Sequence, residues 1–121
     1  FYKSMIDNSG FTDIKIVTDN SDCDTVKKLV SDGCSVVTEG YVDKFQFHCN
    51  DRSISDFNTL LRSENVALSQ SSFSWWAAFL GNHQKIIFPF STKVNMWPVH
   101  PGNDDIDLYF DFNGESTKYI L

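Results

Sequence analysis

Three serines, Ser71, Ser72 and Ser74, follow a short apolar segment and open a tryptophan-rich one. From Phe73 onward, apolar residues recur at the spacing of one helix face. The serines therefore lie where a turn meets a helix N-terminus, a place with positive potential and unsatisfied backbone N–H donors. Hydroxyl groups and free N–H groups together suit phosphate or pyrophosphate, so this segment is a candidate anion site.

The helix predicted here starts near Ser74, and Gly81 is a candidate for its C-cap. Its apolar face, at i, i+3, i+4 and i+7, consists of Phe73, Trp76, Ala77 and Leu80. We expect Trp75 and Trp76 to pack in the core and so to hold the preceding turn in place. On spacing alone, the pattern favours an ordinary polar turn that caps a helix, since serine is common there.

The same region resembles the donor-binding motif of the α-1,2-fucosyltransferases, which has the form D-F-x-L-M…S-N-S-T-F-S-W-W-G-A-W-L. Here it reads D-F-N-T-L-L at residues 56–61 and S-Q-S-S-F-S-W-W-A-A at residues 69–78. The resemblance covers residues 54–89, under a third of the chain. Gln70 replaces the usual Asn and Ser72 the frequent Thr, and both changes keep the capacity for hydrogen bonding.

The resemblance implies a GT-B glycosyltransferase in which the residues from Gln70 to Ser74 line the diphosphate of the sugar nucleotide. GDP-fucose is then the expected donor and a glycan the acceptor, and no cofactor or metal is expected. The H-x-R-x-D-type motif of that family is absent from this chain. We therefore expect the C-terminal, donor-binding half of a two-domain enzyme, inactive without its N-terminal domain, and name no catalytic residue.

Strand and helix patterns alternate along the chain. Predicted strands cover residues 14–18, 35–38, 66–68 and 85–88, the last of them stopped by Pro89. Such alternation is typical of an α/β, Rossmann-like three-layer domain with a mainly parallel sheet, here one half of a GT-B fold. Ligands bind at the carboxyl ends of the strands in such sheets, where Asp19 and Glu39 also lie.

Asp56 matches the Asp of the D-F motif, and the resemblance implies a contact with the nucleoside or the loop that holds it. Helix capping is the alternative role for this residue. The residues assigned to donor binding are Gln70, Ser71, Ser72, Phe73, Ser74, Asp56 and Asp19.

Composition excludes several other classes of protein. The 121 residues suit one domain, and a net charge of −6 argues against nucleic acid or an anionic membrane as partner. No apolar run is long enough to span a bilayer.

The three cysteines match no zinc or redox spacing, so we expect reduced thiols in a cytoplasmic protein. Because the chain starts at Phe1, we expect a domain excised from a longer protein.

The sequence is also compatible with two other functions. One is a non-catalytic binding or assembly domain that keeps the fold but has lost donor binding. The other is a metal-dependent transferase that uses Asp105 and Asp107, which form a D-x-D pattern within an alternating segment at residues 105–112. Three-residue acidic matches are frequent by chance, and that segment reads as a half-exposed edge strand. Residues 117–121 are a candidate for either a last strand or the start of a further element, and residues 41–52 are a candidate base-binding loop.

Overall fold

The structure, a computed structural model, describes residues 2–38, 52–90, 109, 114 and 116–120. The elements in chain order are α1 (Tyr2–Ser9), β1 (Lys15–Ile16), α2 (Asp24–Ser31), β2 (Ser35–Val36), α3 (Arg52–Leu61), β3 (Asn65–Ala67), α4 (Ser72–Leu80), β4 (Lys85–Phe90) and β5 (Ser116–Ile120). They form two compact units, Phe1–Thr59 and Leu60–Leu121.

In the first unit, β1 and β2 are parallel neighbours, with Ile16 opposite Val36. The crossover between them is α2, whose N-cap is Cys23 and whose apolar stripe buries Val26 and Leu29. A strand, a helix and a parallel strand joined in this way form the βαβ unit expected from the alternating pattern.

In the second unit, three parallel strands lie in the order β3-β4-β5, with Val66 opposite Ile86 and Phe88 opposite Lys118. Helix α4 connects β3 to β4. The core cluster of this unit consists of Val66, Leu68, Ala78, Ile86 and Phe88. Leu68 and Phe88 are fully enclosed. This core anchors both the end of β3 and the face of α4 that follows it.

The predicted α/β class with parallel strands is confirmed: every described strand pair is parallel. Residues 116–120 form the last strand, which confirms the strand alternative for the C-terminal segment. Strand β4, however, does not stop at Pro89 but continues to Phe90. The pairing of β4 with β3 ends at Ile87, so the N–H that Pro89 lacks leaves no hydrogen bond with β3 unmade, and β4 stays paired with β5 through Pro89 and Phe90.

The predicted edge strand at residues 105–112 lies outside the described residues, except for Tyr109. That residue belongs to no strand. Its ring packs edge-on against Phe88 with centroids 4.9 Å apart, and its hydroxyl donates to the Ser116 carbonyl at 3.0 Å. Tyr109 thus contacts β4 through its ring and β5 through its hydroxyl.

Candidate functional site

The segment at residues 69–74, here called the serine turn, carries the chain from the carboxyl end of β3 into α4. Leu68 extends the pairing with β4, because its N–H donates to the Ile87 carbonyl at 3.0 Å. Ser71 is the N-cap of α4, and its hydroxyl accepts the N–H of Phe73 at 3.2 Å. The predicted turn at a helix N-terminus is therefore confirmed, with the helix beginning at Ser72 rather than near Ser74.

Ser74 is buried, with 5% of its surface exposed. Its hydroxyl lies 3.0 Å from the Ser71 carbonyl oxygen and 3.2 Å from that of Ser69. The hydroxyl oxygens of Ser74 and Ser69 are also 3.2 Å apart. All of these partners belong to the serine turn itself, so the Ser74 side chain connects the first turn of α4 to the segment before it.

The other polar residues of the serine turn are accessible to solvent. Ser69, Gln70 and Ser72 are exposed, and Ser71 is half-buried. An α-helix leaves its first N–H groups without intrahelical acceptors. Of these groups, the Ser71 hydroxyl accepts a hydrogen bond from the N–H of Phe73. The N-terminus of α4 therefore presents hydroxyl, amide and backbone donors together, in the positive potential of the helix end.

The buried face of α4 differs from the predicted apolar face. Of the four residues expected on it, only Ala77 is buried; the other buried positions are Ser74 and Ala78. The large residues exposed on α4 are Phe73 at 38%, Trp76 at 50%, Phe79 at 40% and Leu80 at 62%. Because α4 is apolar almost all round, periodicity does not select a face, and the small side chains allow the closest approach to the sheet.

The two tryptophans have different environments. Trp75 packs against the core cluster of the second unit and stacks on Phe79, with ring centroids 5.1 Å apart. Its expected packing role is confirmed. Trp76 is half exposed and meets the rings of Trp75 and Phe79 edge-on, at 4.9 and 5.9 Å. The expectation of a core position is thus wrong for Trp76.

Asp56, the acidic residue of the D-F motif, is buried within α3. Since α3 begins at Arg52, Asp56 is in its second turn, and the capping alternative is wrong. The Arg52 Nε lies 3.5 Å from an Asp56 carboxylate oxygen, and its Nη2 donates to the Val37 carbonyl at 3.1 Å. Arg52 therefore joins α3 to the chain just after β2, a contact that the sequence did not indicate.

Asp19 is exposed in the loop that follows β1, as its assignment to a strand's carboxyl end requires. In this loop the Thr18 hydroxyl accepts the N–H of Asn20 at 3.1 Å, and the Asn20 side chain accepts that of Asp22 at 3.1 Å. Asp19 and Asp56 belong to the first unit and the serine turn to the second. Glu39 lies outside the described residues.

His83 is a single histidine in the sequence, with no neighbours typical of a metal or catalytic site. In the second unit its ring contacts two backbone carbonyl groups. Its Nδ1 lies 2.7 Å from the Ser63 carbonyl oxygen, and its Nε2 lies 3.4 Å from that of Ala77. The ring thus bridges the connection between α3 and β3 to the end of α4. This is a structural role, and only the folded chain brings these carbonyls together.

Within the described ranges, no group of three or more His, Cys, Asp or Glu residues is arranged to hold a metal ion. Asp105 and Asp107, the D-x-D pair, lie outside those ranges, as do residues 41–51 of the candidate base-binding loop. Cys23 and Cys34 are free thiols. None of the helices in the described part of the chain is long and apolar enough to cross a membrane.

The match to a family model covers both βαβ units and the serine turn. It extends over residues 8–96, well over half of the chain, and identifies a glycosyltransferase. The chain belongs to glycosyl transferase family 11. This agrees with the resemblance to fucosyltransferases carried by the motif at residues 56–78. Neither the curated proteins nor the solved structures include a match to the chain.

Proposed function

We propose that this chain is the donor-binding domain of a fucosyltransferase and holds the diphosphate of GDP-fucose at the serine turn. The observation that carries the proposal is the position of Ser71 as N-cap of α4, beside the exposed residues Gln70 and Ser72. This arrangement lies within the part of the chain that matches the glycosyltransferase family. Diphosphate oxygens would accept from the N–H groups at the start of α4 and from the Gln70 and Ser72 side chains.

In the transfer reaction, fucose leaves the nucleoside diphosphate as a glycan hydroxyl attacks its anomeric carbon. Negative charge then grows on the diphosphate oxygens. Donors fixed in advance at the helix N-terminus stabilise that charge without reorganising, which lowers the barrier and requires no nucleophile from this chain. Ser72, whose hydroxyl and N–H lie at the accessible helix start, is the residue best placed for this role.

The proposal includes a second domain, N-terminal to this one, which completes a GT-B fold. That domain would supply the H-x-R motif and contact the acceptor. Low arginine content supports it: the chain has only Arg52 and Arg62, and Arg52 is engaged with Asp56 and Val37. A diphosphate needs more positive charge than the helix terminus provides. We propose that Asp56 contacts the nucleoside or the loop that holds it and that Asp19 also belongs to the donor-binding residues. The enzyme is proposed to act in the cytoplasm without a metal.

Nucleotide titration of the ¹⁵N-labelled chain tests the proposal. We expect GDP and GDP-fucose to shift the amide resonances of Ser71, Ser72 and Ser74, and UDP to shift them less. Inorganic phosphate at the same concentration is the control for simple anion binding. If none of the nucleotides moves these resonances, the donor-binding proposal is rejected.

An alternative function is a non-catalytic assembly domain. The exposed apolar residues of α4, Trp76 and Leu80 foremost, favour this possibility, since apolar patches often mark contacts between proteins. An assembly domain would form a tight dimer or complex and leave its amide resonances unchanged on addition of nucleotide. Sedimentation of the chain with and without GDP distinguishes the two functions.

A further inference from the structure

Ser74 differs from the other serines of the serine turn because its hydroxyl faces the protein. It is the buried serine of the segment, whereas Ser69 and Ser72 are exposed. Its hydroxyl approaches the carbonyl oxygens of Ser71 and Ser69, at 3.0 and 3.2 Å. The Ser71 carbonyl also accepts the N–H of Trp75 at 3.1 Å, the first hydrogen bond of α4. Ser74 is thus tied to the helix start and to the chain before it.

These contacts fix the shape of the serine turn. A buried hydroxyl keeps its hydrogen bonds because losing them leaves polar atoms unsatisfied. Here the single O–H proton of Ser74 is shared between two carbonyl oxygens, those of Ser71 and Ser69, which lie three and five residues back along the chain. The residue between them, Gln70, is therefore confined to one path across the helix N-terminus.

We infer that Ser74 is a positioning residue for the donor site and does not itself contact the donor. The inference rests on the proposed function, and it changes the role that the motif implied for Ser74. By holding the Ser69 and Ser71 carbonyls, Ser74 keeps Gln70 and Ser72 ready for the diphosphate. A site that is formed only part of the time binds more weakly in proportion to the fraction formed.

The test compares Ser74→Ala with Ser74→Thr, which keeps the hydroxyl. We expect Ser74→Ala to speed amide hydrogen exchange at residues 69–73 of the free protein and to weaken GDP binding about fivefold to tenfold, the equivalent of about one hydrogen bond. Ser74→Thr should restore most of both properties. Calorimetry gives the GDP affinity, and NMR gives the exchange rates.

Ser63→Ala is the matched control. The Ser63 hydroxyl donates to the Leu60 carbonyl at 2.7 Å, so this variant also loses a hydroxyl–carbonyl bond, but outside the serine turn. It should lower thermal stability and leave the GDP affinity unchanged. A purely structural role for Ser74 would make Ser74→Ala behave in the same way, with stability reduced and affinity intact.

The possible outcomes distinguish a failure of the positioning role of Ser74 from a failure of the proposed donor-binding function. If the unaltered protein binds GDP and Ser74→Ala binds it equally well, the positioning role is overturned and the proposed function stands. If exchange at residues 69–73 is unchanged in Ser74→Ala, the positioning role is likewise overturned. If the unaltered protein fails to bind GDP, the proposed function and this inference fall together.

Discussion

The imidazole ring of His83 occupies the space that a side chain at Gly81 would need. A Cβ built on Gly81 would overlap the ring and would lie 2.7 Å from the Leu61 carbonyl oxygen. Gly81 is the C-cap of α4, with φ −78° and ψ 169°, a backbone conformation that any residue can adopt. Glycine is therefore required here by close approach and not by a left-handed conformation, although the sequence indicated only a helix end.

We expect Gly81→Ala to lower the free energy of unfolding by about 2 kcal/mol, the usual cost of forcing an extra carbon into a packed site. His83→Ala should recover part of this loss in the double variant but not all, because the Leu61 carbonyl remains in place. Urea unfolding of the single and double variants measures the coupling.

Gly10→Ala, alone and combined with His83→Ala, is the control for this double-mutant cycle. Gly10 has φ 75° and open space around its Cβ position, so its substitution is costly for conformational reasons alone. His83→Ala should not relieve that cost. Equal coupling in both cycles would show that His83 does not act through the space beside Gly81.

Substitutions at Ser71 should separate helix capping from donor binding. Because its hydroxyl caps the Phe73 N–H, Ser71→Ala should cost about 1 kcal/mol of stability. Ser71→Asp keeps an acceptor there and should retain stability, since a carboxylate suits a helix N-terminus. Its negative charge should nevertheless repel the diphosphate and abolish measurable GDP binding. Thermal unfolding and calorimetry on both variants check this, and undiminished GDP affinity in Ser71→Asp would contradict the proposed site.

The two tryptophans should differ in their contribution to stability. Trp75 packs on the core cluster, so Trp75→Ala should cost about 3 kcal/mol. Trp76 is half exposed and keeps only edge contacts with neighbouring rings, so Trp76→Ala should cost about 1 kcal/mol. Urea unfolding provides both values. A larger loss for Trp76 than for Trp75 would contradict the assignment of Trp75 to the core.

Substitutions at Asp56 and Arg52 should distinguish a nucleoside contact from a structural ion pair. Since the Arg52 side chain is 57% exposed, the pair itself should be worth no more than about 1 kcal/mol. We expect Asp56→Asn to weaken GDP binding, whereas Arg52→Ala should reduce stability slightly and leave the affinity unchanged. Equal losses of affinity in the two variants would indicate that Asp56 acts only by holding Arg52.

Alkaline pH should weaken the first unit. Burial raises the pKa of Tyr2 above its ordinary value of 10.0, so the folded protein holds the phenol proton more tightly than the unfolded chain does. The associated stability is complete below that ordinary value and is lost as the pH rises through the folded-state pKa. Urea unfolding at about pH 9 and pH 11 should show this decline, and Tyr2→Phe should reduce it. An identical decline in Tyr2→Phe would exclude Tyr2 as its source.

Local patterns were sufficient for the elements around the site. The alternation of strands and helices depends on residues close in the sequence, and so does the N-cap at Ser71. Local patterns did not predict which face of α4 is buried. Once nearly every position is apolar, burial depends on which side chains fit the sheet, and Ala77 and Ala78 fit where Trp76 and Leu80 do not.

The sequence by itself determined the α/β class, the position of the serine turn and the family motif that gives the turn its proposed ligand. These follow from periodicity and from the order of residue types along a short stretch of chain. Only the tertiary structure decided that Ser74 is buried, that Arg52 reaches the Val37 carbonyl, and that the His83 ring and the Leu61 carbonyl lie beside Gly81. Each of these depends on atoms brought together by folding, whose distances no local pattern encodes.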